Sequence, residues 1–291
     1  MNIRRSASCL CLLVALSFFF SASDITAAPK KPGVKLKAKS AILINDSTGK
    51  ILYAKNPDRP MQPASLTKIL SLYLVHEAIG QGRIHPEDRV RISMNAQITG
   101  GSSMYLVDET EVGLDDLIKG IAVVSANDAS VAVAEHLGGS VDGFVGMMNS
   151  KAKALGMKRS RFVNPNGLPA KGQVSTARDI LRLSRAYIRD FPEALQIHSM
   201  QEYTFANITQ HNSNTLLRQR EDVDGLKTGF VRAAGFHLVA TAKRGDTRLI
   251  AVVMGEKNPR VRAKDAASLL EQGFRMVAMK GKTSVSLRSR S

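Results

Sequence analysis

The position of the strands constrains this chain most: strand signals lie at the two ends of the sequence and helix signals between them. Residues 41–46 and 50–55 are short apolar runs around Ser47-Thr48-Gly49, which predicts a hairpin with glycine at the turn. Residues 236–242 and 248–254, joined at Gly245-Asp246, predict a second hairpin. Between them, Leu66, Ile69, Leu70, Tyr73 and Leu74 recur at helical spacing over 65–79, with Gly80 placed as a C-cap. Further helices are predicted over 114–124 and 126–137, with Ser125 at their junction, and over 141–155, with Ser140 as N-cap. Thr176 and Asp179 have capping-box spacing and open a helix to about 189, before Pro192. Residues 164–172 are rich in Pro, Asn and Gly and read as a loop, and residues 263–276 as a closing helix. The terminal strands are expected to pair into one sheet with the helical middle packed on it, an α/β (α+β) fold.

The N-terminus bears on compartment. Arg4 and Arg5, a 12-residue apolar run from Cys9 to Phe20, and small residues up to Ala28 predict a signal peptide over 1–28 and secretion across the cytoplasmic membrane. Both cysteines, Cys9 and Cys11, fall in it, so the mature chain has none. Disulfides, thiol catalysis and cysteine metal sites are thereby excluded. Residues 29–39, rich in Lys and Pro, read as a flexible lead-in. Loss of two Arg and one Asp with the signal lowers the net charge from +16 to +15. Such a charge suits an anionic partner, but aromatics are 5% and Trp is absent, which argues against nucleic acid bound by base stacking. From Phe274 onward there are five cations and no acid. The tail 278–291 is expected to be solvated, or to make weak contact with an anionic surface. No metal is expected: the six His include no His-x-x-x-His pair.

Three short motifs carry chemistry. Ser65-Leu66-Thr67-Lys68 places a hydroxyl and an amine one helical turn apart, on one side of the helix. A serine hydroxyl needs a neighbouring base, and lysine can serve if burial or nearby cations lower its pKa. Ser125-Ala126-Asn127 offers a hydroxyl to relay a proton and an amide to hold a carbonyl; its plain alternative is an ordinary N-cap. Lys227-Thr228-Gly229 precedes an apolar stretch and fits an inner-edge strand, with Lys and Thr facing an anion and Gly allowing close backbone approach. Chance matches occur, as at Ser150-Lys151-Ala152-Lys153 and Ser93-Met94-Asn95. Order separates them: no Ser-x-Asn follows Ser150 before Lys227.

With the three motifs in that order, the chain resembles the low-molecular-mass penicillin-binding proteins of the serine D-alanyl-D-alanine carboxypeptidase type, peptidase family S11. The likeness covers about residues 39–276 and includes Met61-Gln62-Pro63-Ala64, residues 149–167, Ser175-Thr176-Ala177-Arg178-Asp179 and Val223-Asp224-Gly225. It implies a β-lactamase/DD-peptidase-like fold over 40–277, an antiparallel sheet flanked by helices with a helical subdomain. The implied activity is removal of the terminal D-alanine from peptidoglycan stem pentapeptides, with acylation by β-lactam antibiotics and a role in cell wall biogenesis and cell shape. No metal or organic cofactor is implied, and the implied location is the periplasm.

The resemblance makes Ser65 the acylated nucleophile, Lys68 its general base and Ser125 the proton relay. Asn127, Lys227, Thr228, Gly229 and Arg248 would bind substrate, and the backbone N–H groups of Ser65 and Phe230 would form the oxyanion hole. Phe230 stands where some relatives have His, and Ala126 where many have Gly. Longer members continue into a β-rich domain and a membrane anchor, whereas this sequence stops about 15 residues after the closing helix, so a soluble or charge-held enzyme is expected. Two alternatives stand beside the carboxypeptidase: a DD-endopeptidase cleaving cross-links, and a non-catalytic peptidoglycan-binding module. A class A β-lactamase shares the motifs but needs a deacylating Glu, and residues 164–175 contain neither Glu nor Asp.

Overall fold

The computed structural model describes residues 35–288. The expected signal peptide and the start of the lead-in lie outside the described residues. In chain order, β1 (Ser40–Asn45) and β2 (Lys50–Lys55) form the first hairpin, and a 3-10 turn (Ala64–Thr67) runs into α1 (Lys68–Gly80). β3 (Arg89–Arg91) is followed by α2 (Met94–Gln97) and β4 (Glu111–Gly113). α3 (Leu114–Lys119) continues into a π turn (Gly120–Val124), then α4 (Asn127–Gly138), α5 (Val141–Ala154), α6 (Ala177–Asp190) and α7 (Ala194–His198). A small hairpin, β5 (Glu202–Phe205) and β6 (Ile208–His211), precedes a second 3-10 turn (Thr215–Arg218). The chain ends with β7 (Val223–Val231), β8 (Gly235–Arg244), β9 (Thr247–Glu256) and α8 (Pro259–Arg288).

The main sheet has the order β2-β1-β9-β8-β7 and is antiparallel throughout. As expected, strands from the two ends of the chain meet: β1 pairs with β9, Ile42 opposite Val252 and Ile44 opposite Ile250. Side chains alternate across a strand, so one run serves two cores. Ile42, Ile44, Ile250 and Val252 face the core shared with α1, α4 and α6, while Ala41, Leu43, Leu249 and Ala251 face Ala266, Leu269, Leu270 and Phe274 of α8. Burial on both faces explains why these strands read as unbroken apolar runs. Each fully buried Leu or Ile contributes roughly 1.5–3 kcal/mol to holding the layers together. Among the described residues, no helix is long and apolar enough to cross a membrane.

Three expectations are corrected. The lead-in is fixed from Leu36 onward: Leu36 and Ala38 are buried. The Asp265 carboxylate accepts the Lys37 N–H at 2.6 Å and the Ala38 N–H at 3.4 Å. The closing helix begins at Pro259 and runs to Arg288, so the backbone of most of the basic tail is helical. At α6 only half of the capping box forms. Thr176 Oγ1 accepts the Asp179 N–H, while the Asp179 carboxylate accepts the Arg159 N–H (2.8 Å) and the Ser160 hydroxyl (2.9 Å), tying down the preceding loop.

Candidate active site

The three motifs, far apart in sequence, converge on one cleft of about 580 Å³. Ser65, Ser125, Asn127, Thr228, Gly229 and Phe230 line it. Ser65 belongs to the 3-10 turn rather than to the helix proper, directly before α1. Two glycines make room for that turn. Gly229 of β7 lies so close that a Cβ there would be 3.2 Å from both Ser65 N and Ala64 Cβ. Gly167, at φ +85°, admits no Cβ at all: it would overlap the Ala64 carbonyl and lie 2.9 Å from Ser65 N. Ala64 itself has φ +50°, strained for a residue with a side chain. Buried His237 ties the same turn to the sheet, with Nε2 3.0 Å from the Gln62 carbonyl and Nδ1 accepting the Gly255 N–H at 3.0 Å. Burial lowers the His237 pKa to about 4, so the ring is neutral.

Lys68 is wholly buried beneath Ser65. Its Nζ lies 3.1 Å from Ser65 Oγ, 2.6 Å from Asn127 Oδ1 and 2.6 Å from the Asn166 carbonyl. Burial holds its pKa well below the usual lysine value, the Lys227 cation lowers it further, and Asp128 partly opposes both. A neutral amine has two N–H groups and one lone pair. The two carbonyl oxygens take the N–H groups, which leaves the lone pair for the Ser65 hydroxyl proton. In its neutral form the amine can therefore act as a base.

Ser125 is held in the left-handed region (φ 68°, ψ 30°) at the end of the π turn. Backbone of this kind, costly for a residue with a side chain, is concentrated at functional sites. Asn127 is also tied into the protein. Its Oδ1 takes Lys68 and its Nδ2 donates to the Gly100 carbonyl at 2.6 Å, so both ends of the amide are engaged within the protein. Asn127 positions Lys68 and the 100–102 loop, and it also lines the cleft with a second Nδ2 N–H to offer. Asp128, which sequence reasoning passed over, pins that loop: its carboxylate accepts the Ser103 hydroxyl at 2.6 Å and the N–H groups of Met104 and Leu106.

On the β7 side, Lys227 and Thr228 are buried. Burial, with help from the Arg262 cation, lowers the Lys227 pKa to about 7. Phe230 is half exposed and stacks on Phe236 with ring centroids 4.2 Å apart. Arg248 does not reach the cleft. It makes a bidentate pair with Asp224 (2.9 and 2.7 Å) and donates to Thr241 Oγ1 at 2.6 Å. In the sheet register Lys227 is level with Val252, and Arg248 lies four residues further along β9, about 13 Å away at strand spacing.

The arginine of the cleft is Arg262, in the first turn of α8. It is 4% exposed, donates to the Ser213 carbonyl at 2.9 Å and keeps its Nε buried without a partner. Burial lowers its pKa to about 10, so it stays cationic. The signal that could have found it is Asn258-Pro259, an N-cap followed by proline at the first helical position. Asn258 Oδ1 does accept the Val261 N–H at 2.9 Å.

Known proteins share this arrangement. D-alanyl-D-alanine carboxypeptidase DacA of Escherichia coli is 41% identical over 281 residues, covering 94% of this chain and 70% of its own length. The crystal structure of penicillin-binding protein 5 from Haemophilus influenzae superposes with a TM-score of 0.82 at 41% identity, over 84% of this chain and 72% of that one. Penicillin-binding protein D2 of Listeria monocytogenes, solved in its cefotaxime-bound form, gives 0.77 at 32% identity, over 84% of this chain and all of that one. The D-alanyl-D-alanine carboxypeptidase family, peptidase S11, matches residues 25–258. With this coverage and a cleft built from all three motifs, the chain belongs to the D-alanyl-D-alanine carboxypeptidase family.

Proposed function

We propose that this protein removes the terminal D-alanine from peptidoglycan stem pentapeptides through an acyl-enzyme on Ser65. The observation that carries the reading is the wholly buried Lys68 amine, its Nζ 3.1 Å from Ser65 Oγ and 2.6 Å from both Asn127 Oδ1 and the Asn166 carbonyl. Lys68 accepts the Ser65 hydroxyl proton as Oγ attacks the carbonyl of the penultimate D-Ala. The backbone N–H groups of Ser65 and Phe230 stabilise the oxyanion. Arg262 and Thr228 take the terminal carboxylate, and Lys227 adds positive charge while protonated. Ser125 relays that proton from Lys68 to the departing amine, so D-alanine leaves with a neutral amine, Lys68 is neutral again and the ester remains on Ser65. Water then hydrolyses the ester, and the Ser65 proton is restored.

The same serine is acylated by β-lactams. With no carboxylate in 164–175 to activate water, the penicilloyl ester turns over slowly. The signal-like N-terminus and the nature of the substrate support a periplasmic location and a role in cell wall biogenesis. The test is the intact mass of the mature protein with benzylpenicillin over hours, beside D-alanine release from an acyl-D-Ala-D-Ala peptide. The expected outcome is a lasting adduct of one penicillin and steady release of D-alanine, both absent in Ser65→Ala. An unmodified wild-type mass with no release overturns the reading.

A further inference from the structure

Beside the cleft stands a ridge that the reaction above does not use. Ile98, Tyr105 and Val107 are 70%, 61% and 57% exposed, with Met94 at 50%. Large apolar side chains exposed together mark contact surfaces. The segment that carries them also reaches the cleft, which Gly101 and Ser102 line.

Its geometry is imposed rather than relaxed. Tyr105 has φ +62°, a conformation tyrosine avoids. It is held there from both sides, because Asp128 accepts the N–H groups of Met104 and Leu106, and Ser103 Oγ accepts the Tyr105 N–H at 2.8 Å. The buried carboxylate thus pays for a strained backbone whose visible result is an aromatic ring presented to solvent next to the active site.

The chemistry of the surface selects its occupant. Residues 94–111 carry three acids (Asp108, Glu109, Glu111) and no base, and the neighbouring Arg91 and Arg89 are paired with Glu109 and Glu111, which leaves no cluster of free cations there for an anionic lipid surface. A sugar ring is neutral over its faces and apolar at its C–H groups, and so suits an aromatic face with a hydroxyl at its edge. The proposed substrate supplies such a ring. Its stem peptide hangs from the glycan, with four residues between the sugar and the scissile bond, a reach of up to about 14 Å. Tyr105 follows the cleft residue Gly101 by four residues, within the same reach. We propose that Tyr105, flanked by Ile98 and Val107, is a saccharide subsite that holds the glycan end of a substrate whose stem peptide occupies the cleft. This inference rests on the carboxypeptidase reading.

The experiment compares a free pentapeptide with the same pentapeptide on its disaccharide, for wild type, Tyr105→Phe and Tyr105→Asn. Asparagine tolerates positive φ, so that variant removes the ring without adding backbone strain. Wild type and Tyr105→Phe are expected to show a KM about fivefold to tenfold lower for the disaccharide substrate, the scale of covering one aromatic face. Tyr105→Asn is expected to lose that preference while keeping its kcat and KM on the free pentapeptide. Equal KM values for the two substrates in wild type, or a preference that survives in Tyr105→Asn, overturn the subsite and leave the carboxypeptidase reading intact. A wild type that hydrolyses neither substrate overturns both. Tyr105-dependent binding to phosphatidylglycerol vesicles without a sugar preference assigns the ridge to lipid and overturns the proposal.

Discussion

Replacing Gly167 by alanine tests whether the loop after α5 sets the geometry of the nucleophile. The added methyl would overlap the Ala64 carbonyl and lie 2.9 Å from Ser65 N, at a φ of +85°. Non-bonded carbon contacts settle near 3.5 Å, so one backbone must move by on the order of 1 Å. Either movement is harmful: shifting the turn displaces Ser65, and shifting the loop draws the Asn166 carbonyl from Lys68 Nζ, now 2.6 Å away. A displacement of that size lowers rate by about 100-fold, and left-handed backbone adds roughly 1–2 kcal/mol of destabilisation. Gly172→Ala is the control. It has φ +89° in the same loop, but its Cβ would meet nothing nearer than 4.0 Å. Second-order acylation by a fluorescent penicillin and thermal unfolding are measured for both. Both variants are expected to lose stability, and only Gly167→Ala to lose acylation. Acylation of Gly167→Ala within threefold of wild type, or an equal loss in Gly172→Ala, would refute the reasoning.

Two further outcomes separate roles that sequence alone confuses. Arg262→Ala is expected to lower kcat/KM for an acyl-D-Ala-D-Ala peptide by about 10- to 100-fold, as loss of a hydrogen bond to a charged group does. Arg248→Ala should leave it within about twofold while losing roughly 1–3 kcal/mol in urea unfolding, because Asp224 loses its bidentate partner; the reverse pattern restores Arg248 to the site. At the far end of β9, burial and neighbouring Asp265 raise the Glu256 pKa from 4.5 to about 8. Between these values the unfolded chain has released a proton that the folded protein keeps, so this group makes stability fall as pH rises from about 4.5 to about 8. Glu256→Gln should flatten that fall and be the more stable protein at pH 8. Parallel unfolding profiles for the two would reject the assignment.

Features written locally in the chain were legible. The two long hairpins, α1, α4 and α5 each follow from a glycine turn, a cap or a helical period within a dozen residues. Ser65 and Lys68 came together because an i, i+3 spacing keeps its meaning whether the turn is 3-10 or α. The misses have tertiary causes. β3 and β4 are three residues each and β5 and β6 four, too short for alternation to register. The sequence points to Arg248 and not to Arg262 because a cation on a strand says nothing about which end of the sheet holds the cleft. The helix start predicted at 263 left Arg262 just outside it. Gly167 looked like an ordinary loop glycine, since its constraint comes from Ala64, about a hundred residues away in sequence.

The outer strands of the sheet show two ways of managing an unpaired edge. At β2 the edge faces solvent and carries Lys50 and Lys55, with charges that discourage another strand from adding. At β7 the turn bearing Ser65 packs on Gly229, where a side chain would crowd Ala64 and Ser65. The chain therefore has one edge strand guarded by charge and one that runs beside its own nucleophile. A peptide that paired with β7 beside Gly229 would lie next to Ser65, so extending the sheet there would also present the peptide to the nucleophile.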